Sequence, residues 1–341
     1  MSEGQLNIED FLSRSRECPV IDVRSPGEFE HGHIPGAINI PIFSNEERSA
    51  VGTLYVNRGS TDAMMKGLEI VGPRMKEYAE FALRIAPRRE ALMHCWRGGM
   101  RSNSMAWLFN TTGVKTYTLS GGYKSYRTYV RNYLSTPLKL VVIGGMTGSG
   151  KTDVLEYLES QGEQIIHLER LARHKGSVFG GVGMPSQPTT EQFENDLFAR
   201  LVELDPLKPV YVENESLLIG RVFIPKPFFE QMSAAPLVKL CVPFGRRVSQ
   251  LVNTYTLGDR QLLVEGVKRI ERRLGLENTA RAIEQIQNGN MTAAVEIALK
   301  YYDRIYSRAK EIPNRKVTEV KIEQESVREI AERLISISNR I

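Results

Sequence analysis

The chain has 341 residues, enough for two domains if each takes roughly 100 to 200 residues. With 41% hydrophobic and 25% charged residues, the composition excludes a collagen-like or wholly disordered protein. No stretch approaches the roughly 20 apolar residues that a membrane span needs. The N-terminal residues include acids where a signal peptide would be basic and then apolar. Three widely spaced cysteines argue against a disulfide framework and for a reducing compartment. We therefore expect a cytoplasmic protein with no membrane partner.

The charges are distributed unevenly along the chain. The net charge of +5 permits a polyanionic partner but is too small to require one. No Asp or Glu lies between Glu90 and Asp153, a window that contains the basic residues Arg97, Arg101, Lys115, Lys124, Arg127, Arg131, Lys139 and Lys151. Chance, together with buried strands that exclude acids, could produce such a window. We favour the other explanation, which is a surface that meets anions.

The first third of the chain has the pattern of a small α/β domain, in which short apolar runs alternate with stretches of helical periodicity. The apolar runs lie at 19–24, 90–95 and 116–119, and the helical patterns lie near 74–86 and 101–110. The pattern ends before the short STP segment at 135–137, which marks a boundary. We therefore predict a first domain over residues 1–135.

A second alternation of strands and helices follows. Its apolar runs lie at 138–145, 164–168, 209–216 and 236–242. Because helical stretches separate these runs, they indicate a parallel sheet, which we place in a second domain over residues 138–245. Beyond it, apolar residues recur every three to four positions, which predicts a mainly helical region over residues 246–341.

A cysteine loop follows the apolar run that ends at His94. Residues 95–101 read CWRGGMR and precede a helical pattern. A glycine-containing loop between a strand and a helix directs its N–H groups at one point, which suits an oxyanion. A cysteine in such surroundings ionises near neutral pH and becomes a nucleophile. We predict that Cys95 is catalytic with Arg97 and Arg101 as basic partners, since the Arg101 guanidinium can grip two oxygens of a phosphate-like group.

The residues before this loop resemble a known domain. The run at 22–41, DVRSPGEFEHGHIPGAINIP, is similar to the N-terminal signature of rhodanese domains, and Cys95 falls where their catalytic cysteine lies. The resemblance implies that Asp22 and Arg24 mainly build the scaffold. The spacing between Cys95 and Arg101 exceeds the usual sulfurtransferase spacing and also resembles the phosphatase branch of the superfamily. The longer loop leaves room for a phosphate or a selenium-bearing phosphate.

A phosphate-binding loop begins the second domain. Residues 145–152, GMTGSGKT, match the G-x-x-x-x-G-K-[ST] motif between a strand-like and a helical run. Backbone N–H groups of such a loop cradle a diphosphate, and its lysine neutralises the terminal oxygens. We assign diphosphate binding to Gly145, Gly148, Ser149, Gly150, Lys151 and Thr152. The motif does not distinguish ATP or GTP from another diphosphate ester.

Acidic residues are expected near this loop. The apolar run at 209–216 supplies Glu213 and Glu215, either of which could act as a base or through a water bound to Mg²⁺. The alternative is that both are surface or helix-starting carboxylates. Thr152 is placed to ligate Mg²⁺ if that ion is used, and no other metal ligand is assigned.

The two halves together resemble a known family, tRNA 2-selenouridine synthase, over about residues 10–310. The strings that carry the resemblance are 95–102 (CWRGGMRS), 120–124 (SGGYK), 145–152 (GMTGSGKT), 187–188 (QP), 193–194 (FE), 213–216 (ENES), 273–275 (RLG) and 301–303 (YYD). The resemblance implies an α/β protein. Its N-terminal rhodanese-like α/β domain is followed by a P-loop NTPase-like parallel-sheet domain with a C-terminal helical appendage.

The resemblance also implies a reaction. Members of the family exchange sulfur for selenium in the wobble 2-thiouridine of tRNA through an S-geranylated intermediate. Their co-substrates are geranyl diphosphate and selenophosphate, with no tightly bound cofactor, so the implied partners are this tRNA and an enzyme that supplies selenophosphate. The phosphate loop suits the expelled diphosphate. Cys95 suits the selenium step, in which the thiolate either takes up selenium as a perselenide or assists its delivery.

Two segments are candidates for contact with tRNA. Tyr123, Lys124, Arg127 and Arg131 combine side chains that can bind phosphates with an aromatic ring that can stack on exposed bases. Core packing is the alternative for the tyrosine. Lys268 and Arg272 belong to a basic group on a predicted helix, where interspersed acids make a solvated face an equal alternative.

Two other functions compete with this interpretation. The spacing of Cys95 and Arg101, together with the phosphate loop, also permits a cysteine-dependent phosphatase fused to a nucleotide or small-molecule kinase. However, we find no assignable general acid for a phosphatase. A non-enzymatic tRNA-binding module switched by a nucleotide is the second rival.

Overall fold

The computed structural model describes residues 4–174, 184–255, 260–306 and 312–340. The chain divides into two compact units. The first comprises Met1–Tyr133 and Glu194–Phe198, and the second comprises Leu134–Phe193 and Ala199–Ile341.

The first unit is built on a five-stranded parallel sheet with the strand order β1-β5-β4-β2-β3. The strands are β1 (Gln5–Leu6), β2 (Val20–Asp22), β3 (Ile38–Asn39), β4 (Glu90–His94) and β5 (Lys115–Leu119). The helices are α1 (Ile8–Arg14), α2 (Pro26–His31), α3 (Asn45–Arg58), α4 (Ser60–Val71), α5 (Met75–Ile85), α6 (Met100–Thr111) and α7 (Gly122–Tyr133), with a 3₁₀ turn at Gly72–Arg74. β2 is buried throughout and β4 along nearly all its length, as expected of strands at the centre of a parallel sheet.

The core of this unit lies between the sheet and helices α5 and α6. Ile21, Met93, Ala82 and Phe109 are fully buried in it. Helix α3 begins where Ser44 and Glu47 cap each other's backbone N–H groups. The apolar runs predicted at 19–24, 90–95 and 116–119 overlap β2, β4 and β5, and the helical patterns near 74–86 and 101–110 correspond to α5 and α6.

Asp22 and Arg24 form a fully buried ion pair in the first unit. One Nη of Arg24 donates to Asp22 at 2.6 Å and to the carbonyl oxygen of Gly32 at 2.7 Å, and the guanidinium lies 3.7 Å from the centre of the Tyr123 ring. A charge removed from water is stable only when it is paired and hydrogen-bonded in this way. These residues hold the scaffold together, as the resemblance implied.

The second unit contains a second five-stranded parallel sheet, with the order β12-β11-β6-β8-β7, and an antiparallel pair of short strands, β9 and β10. The strands are β6 (Leu140–Gly145), β7 (Gln164–Ile166), β8 (Val210–Glu213), β9 (Leu218–Ile219), β10 (Val222–Phe223), β11 (Leu237–Cys241) and β12 (Val317–Lys321). The helices are α8 (Lys151–Ser160), α9 (Leu168–Leu171), α10 (Thr190–Leu201), α11 (Lys226–Ala234), α12 (Phe244–Tyr255), α13 (Arg260–Arg269), α14 (Glu271–Leu274), α15 (Leu276–Gln287), α16 (Met291–Tyr306) and α17 (Val327–Ser338). Within α10, the residues Glu194–Phe198 belong to the first unit.

The chain after residue 245 is mainly helical, but it is not only an appendage. Strand β12 pairs in parallel with β11 from Leu237 opposite Val317 to Cys241 opposite Lys321. Helix α17 contributes Ile330 and Leu334 to the core that the sheet shares with α8. β12 was not predicted from the sequence because its residues, VTEVK, form a short edge strand in which only Val320 is fully buried.

Strand β6 occupies the centre of the second sheet, with β8 on one side and β11 on the other. The connections from β6 therefore lead to one side of the sheet for β7 and β8 and to the other side for β11 and β12. Ligands of open α/β sheets bind at the carboxyl ends of the strands beside such a reversal. This geometry places the segment after β6 at the expected ligand site.

Candidate active sites

The cysteine loop connects β4 to α6, as the sequence predicts. Cys95 directly follows the strand, and its carbonyl oxygen accepts a hydrogen bond from the N–H of Tyr123 at 2.8 Å. Two glycines with positive φ allow this close packing. A Cβ on Gly122 would lie 2.4 Å from the Cys95 carbonyl oxygen, and one on Gly98 would lie 2.6 Å from that of Leu119. The loop is therefore held by the turn that starts α7, and only glycine fits at both positions.

The thiol of Cys95 is buried, with 3% of the residue exposed. Its Sγ lies 3.2 Å from the hydroxyl of Ser102, which also lies 3.2 Å from the carbonyl oxygen of Gly99. When the thiol is protonated it can donate to Ser102, and when it is ionised the Ser102 hydroxyl can turn and donate to sulfur. Ser102 can therefore hydrogen-bond to the sulfur, which as a thiolate is the nucleophile.

The histidine beside this cysteine does not supply a positive charge. His94 is fully buried, and burial lowers its pKa to about 4. Its imidazole is therefore neutral at pH 7. Basic groups near the thiol come instead from arginines.

Arg101 lies in the first turn of α6 and is held by Glu28. Its Nη1 donates to Oε2 of Glu28 at 2.8 Å. Burial raises the pKa of Glu28, but the hydrogen bond and charge of Arg101 outweigh this and hold that pKa below its usual range. Arg97 is exposed on the loop. Both predicted arginines line the same cavity as Cys95, and Glu28, for which the sequence predicted no role, binds one of them.

A cavity of about 850 Å³ opens beside the cysteine loop, within the first unit. Cys95, Arg97 and Arg101 line one part of it. Most of the remaining wall is apolar and comes from α3, α4, the start of α5 and α6, with side chains such as Val56, Met64, Leu68, Met75 and Trp107. No sequence pattern predicted this cavity.

The phosphate loop lies between β6 and α8, at the edge predicted by the motif. Gly148 and Gly150 have φ angles of +79° and +76°. A Cβ on Gly148 would lie 2.9 Å from the carbonyl oxygen of Arg247, so this position also needs glycine. Lys151 donates to the carbonyl oxygen of Gly145 at 3.0 Å, which bends its ammonium group back over the loop.

Two buried polar groups support the assignment of this loop to an anion. The Ser149 hydroxyl is buried and has no hydrogen-bond partner among the described residues. Arg247 is almost fully buried, donates to the carbonyl oxygen of Thr147 at 3.2 Å and binds both oxygens of Asp303 at 2.8 and 2.6 Å. A diphosphate oxygen would satisfy the Ser149 hydroxyl, while Arg247 steadies the loop from behind.

Three carboxylates lie near the phosphate loop. Glu213 ends β8 beside Ile143 of β6, and its Oε2 accepts a hydrogen bond from the N–H of Leu168 at 2.6 Å. It therefore fixes the turn that carries Glu169. Glu169 is hydrogen-bonded to Glu215, and burial, followed by the charges of Glu215 and Glu213, raises its pKa to about 8.

Glu215 belongs to the same cluster, and burial raises its pKa to about 7 even though the charge of Lys151 acts in the opposite direction. Because the two carboxyl groups interact, they hold one proton between them near neutral pH. Glu213 and Glu215 were predicted from the sequence, but Glu169 was missed. The short helix that carries it gives no motif.

Thr152 is exposed in the first turn of α8. Among the residues that the structure describes, no group of three or more His, Cys, Asp or Glu side chains is arranged to hold a metal ion. The assignment of Thr152 to Mg²⁺ stays a prediction.

The predicted tRNA contacts on α7 need correction. Tyr123 is fully buried and Arg127 nearly so. Arg127 donates to Oδ1 of Asn195 at 2.5 Å and forms an ion pair with Glu194, and the Tyr123 hydroxyl accepts a hydrogen bond from Asn195 at 2.8 Å. Neither side chain can stack on or bind a nucleic acid without breaking this network, so both belong to the interior of the first unit.

Other predicted basic residues are exposed. Lys124 and Arg131 lie on the solvent side of α7, and Lys268 and Arg272 lie on the surface of the helical region. Their exposure is compatible with a role in binding phosphates and equally with a solvated face. Within the described ranges, no helix is long and apolar enough to cross a bilayer.

A thiol loop on one parallel sheet and a phosphate loop on another define a two-domain protein that combines a rhodanese-like and a P-loop domain. Comparison of the sequence agrees. Residues 7–129 match the family described as "Rhodanese-like domain", and residues 138–336 match "tRNA 2-selenouridine synthase AAA domain". The predicted fold class is thereby confirmed, and the chain belongs to the tRNA 2-selenouridine synthase family.

Individual relatives carry the same name. A tRNA 2-selenouridine synthase of Nitrosomonas europaea is 36% identical over 75% of this chain and 69% of its own length. One of Bdellovibrio bacteriovorus is 40% identical over 71% of this chain and 65% of its own length. One of Shewanella sediminis is 34% identical over 84% of this chain and 86% of its own length. The similarity therefore extends over both domains.

Proposed function

We propose that this protein replaces sulfur by selenium in the wobble 2-thiouridine of tRNA, using selenophosphate and an S-geranylated intermediate made from geranyl diphosphate. The observation that carries the proposal is the presence of two different sites in one chain. One is a buried thiol in a cavity that Arg101 also lines, and the other is a phosphate loop near the buried carboxyl groups of Glu169 and Glu215. The names of the relatives support tRNA as the substrate.

The phosphate loop is suited to the alkylation step. The thiocarbonyl sulfur attacks the allylic carbon of geranyl diphosphate, so that a C–S bond forms, the C–O bond breaks and diphosphate leaves with the electron pair. The loop N–H groups and Lys151 would stabilise the charge that grows on the departing diphosphate. Mg²⁺ held through Thr152 would assist in the same way.

A base is also needed in this step. The S-alkylated base is cationic until its ring N–H loses a proton. Glu169 and Glu215 together are suited to accept that proton, because burial raises their pKa values to about 8 and about 7, so that the pair holds one proton near the working pH and has one carboxylate free to take up a second. Glu213 acts as a positioning residue through its hydrogen bond to the N–H of Leu168.

Cys95 is suited to the selenium step as a nucleophile toward phosphorus. Its thiolate attacks selenophosphate, so that an S–P bond forms, the P–Se bond breaks and HSe⁻ leaves. HSe⁻ adds to C2 of the base, the C2–S bond breaks, and geranyl thiolate departs and takes a proton from water. Water then cleaves the S–P bond and releases phosphate. Selenium keeps its oxidation state throughout, whereas forming a perselenide on Cys95 from selenophosphate would require a two-electron oxidant.

The arginines and exposed lysines support the remaining partners. Arg97 and Arg101 would hold the selenophosphate oxygens, and Lys124 and Arg131 would contact the tRNA backbone. Selenophosphate must come from an enzyme that supplies it. We place the reaction in the cytoplasm, because tRNA is present there and cysteine thiols stay reduced.

The test is mass spectrometry of nucleosides from a 2-thiouridine anticodon stem-loop incubated with geranyl diphosphate and selenophosphate. We expect 2-selenouridine with the unaltered protein and with Cys18→Ser, and none with Cys95→Ser. A quenched reaction should show one phosphoryl group on the Cys95 peptide. Normal 2-selenouridine formation by Cys95→Ser would overturn the proposal. Hydrolysis of aryl phosphates without any 2-selenouridine would favour the phosphatase instead.

A further inference from the structure

The cavity beside Cys95 is larger and more apolar than a selenophosphate site requires. Its volume is about 850 Å³, near the upper end of the roughly 300 to 1,000 Å³ typical of small-molecule pockets. Selenophosphate is a small anion, and the thiol with its two arginines forms only one part of the wall. The remaining space is therefore available to another part of a substrate.

The apolar part of the wall is also accessible to solvent. Six large apolar side chains line the cavity and are at the same time exposed to solvent. They are Val56, Met64, Leu68, Met75, Met100 and Trp107. Exposed apolar side chains that cluster in a concave surface mark a ligand groove rather than a random surface. Methionines adapt their shape to a flexible apolar ligand. The groove therefore suits a long, flexible hydrocarbon chain.

The polar part of the wall restricts what can carry this chain. Cys95, Arg97, Arg101 and Arg48 line the same cavity. The thiol suits a group that reacts at sulfur, and the three guanidinium groups suit anions such as selenophosphate and the phosphates of a nucleic acid. The molecule that fills the rest of the cavity is therefore an amphiphile. Its polar, reacting end lies at Cys95, and its apolar chain lies between α4 and α6.

We propose that this cavity, here called the chain pocket, binds the geranyl chain of the S-geranylated 2-thiouridine while selenium displaces its sulfur at Cys95. The inference rests on the proposed function and assigns the hydrocarbon of the intermediate to the first unit. In this arrangement the C2–S bond that breaks lies at the polar end of the chain pocket. The departing geranyl thiolate stays bound there until it diffuses away. Its protonation and release prevent it from attacking C2 of the product and reversing the reaction.

The chain offers a built-in reporter for this binding. It contains two tryptophans, Trp96 and Trp107, and both line the chain pocket. Titration with an anticodon stem-loop that carries S-geranyl-2-thiouridine, in the absence of selenophosphate, should change their fluorescence. We expect the S-geranyl stem-loop to bind at least about tenfold more tightly than the S-methyl stem-loop, because only the former buries a long chain.

A matched pair of variants on α4 provides the control. Leu68 lines the chain pocket, whereas Met65 on the same helix does not, and both are 59% exposed. Leu68→Glu should weaken binding of the S-geranyl stem-loop by about tenfold and leave that of the S-methyl stem-loop unchanged, since a carboxylate cannot be buried against a hydrocarbon chain without a large cost. Met65→Glu should change neither. Leu68→Met should retain the preference for the geranyl group.

The outcomes separate the chain pocket from the proposed function. Equal affinity for the two stem-loops, or equal damage from Leu68→Glu and Met65→Glu, would overturn the chain pocket even if 2-selenouridine is formed. A change in oligomeric state on Leu68→Glu, seen in size-exclusion chromatography, would also overturn it and indicate contact between copies. If the geranyl preference is found but no 2-selenouridine forms with selenophosphate, the pocket stands and the proposed function fails.

Discussion

At the scale of single residues, the reactivity of Cys95 depends on side chains that the sequence does not connect with it. Ser102 follows Arg101 in the loop motif, but only the structure places its hydroxyl 3.2 Å from the sulfur. Glu28 lies 73 residues before Arg101 and still binds its guanidinium. Spacing identified the thiol and the arginines because they lie within one loop, whereas tertiary folding alone brings Glu28 to them.

The first prediction concerns the Ser102 hydroxyl. Ser102→Ala should slow the selenium step by about tenfold, because the lost hydrogen bond to the thiolate is worth roughly 1.4 kcal/mol. Alkylation of 2-thiouridine should stay unchanged. Single-turnover conversion of a pre-geranylated stem-loop measures the selenium step. Ser49→Ala changes an exposed serine of α3 that does not line the cavity and is the control. An unchanged rate for Ser102→Ala would contradict the role.

The second prediction concerns Glu169. Burial and neighbouring carboxylates raise its pKa from 4.5 to about 8. The folded protein therefore binds this proton more tightly than the unfolded chain does, so the free energy of unfolding decreases as pH rises from about 4.5 through about 8. Glu169→Gln should raise Tm by a few degrees at pH 8.5, about 2–4 °C per kcal/mol, and by much less at pH 5.

Thermal melts of the full chain at the two pH values measure this difference. Glu265→Gln changes an exposed carboxyl group in the same unit and serves as the control. A Tm difference for Glu169→Gln that is the same at pH 5 and pH 8.5 would show that Glu169 does not carry a raised pKa. Loss of alkylation in the same variant would agree with a role of the Glu169–Glu215 pair in accepting a proton.

At the scale of secondary-structure elements, sequence patterns located the strands that are buried on both faces. β4, β6 and β8 all fall within predicted apolar runs, because burial on both faces selects continuous apolar sequence. β11 also falls within such a run, although buried and half-buried residues alternate along it. β12 was missed because it is an edge strand with one buried residue. The aromatic and basic residues of α7 were misassigned in part, because Tyr123 and Arg127 face Asn195 and Glu194, far away in sequence.

The third prediction tests the packing of the cysteine loop against the start of α7. Gly122→Ala should disrupt the loop, because its Cβ would lie 2.4 Å from the Cys95 carbonyl oxygen and 2.4 Å from the Gly98 nitrogen. Gly113→Ala is the matched control, since Gly113 also has a positive φ, +81°, but no atom lies within 4 Å of its added Cβ. Both variants should lose about 1 kcal/mol to backbone strain.

Only Gly122→Ala should also lose most of the selenium step. Equilibrium denaturation measures the free energy of unfolding of each variant, and single-turnover kinetics with a pre-geranylated stem-loop measures the selenium step. If both variants retain the same rate, the contact between the two loops does not position Cys95.

At the scale of the whole molecule, the sequence predicts two α/β domains because each carries a loop motif between a strand and a helix. The chain pocket could not be predicted. Its wall combines α3, α4, the start of α5 and α6, and no local periodicity shows that their exposed apolar side chains surround one cavity. Glu169 was missed for the same reason, since its link to Glu215 is visible only once β8 and the turn after β7 are placed together.

The central claim is that two separate sites perform two successive steps, and one measurement tests it most directly. In this measurement, Lys151→Ala and Cys95→Ser are each incubated with a 2-thiouridine stem-loop and with a pre-geranylated stem-loop. Mass spectrometry then identifies the nucleosides that each variant forms. Lys151 acts on charge that develops only as diphosphate departs, so its loss should raise only the barrier to alkylation. We predict that Lys151→Ala fails to alkylate 2-thiouridine yet converts the pre-geranylated substrate to 2-selenouridine, whereas Cys95→Ser accumulates the geranylated nucleoside. Normal alkylation by Lys151→Ala, or failure of both variants at the same step, would contradict the division of labour.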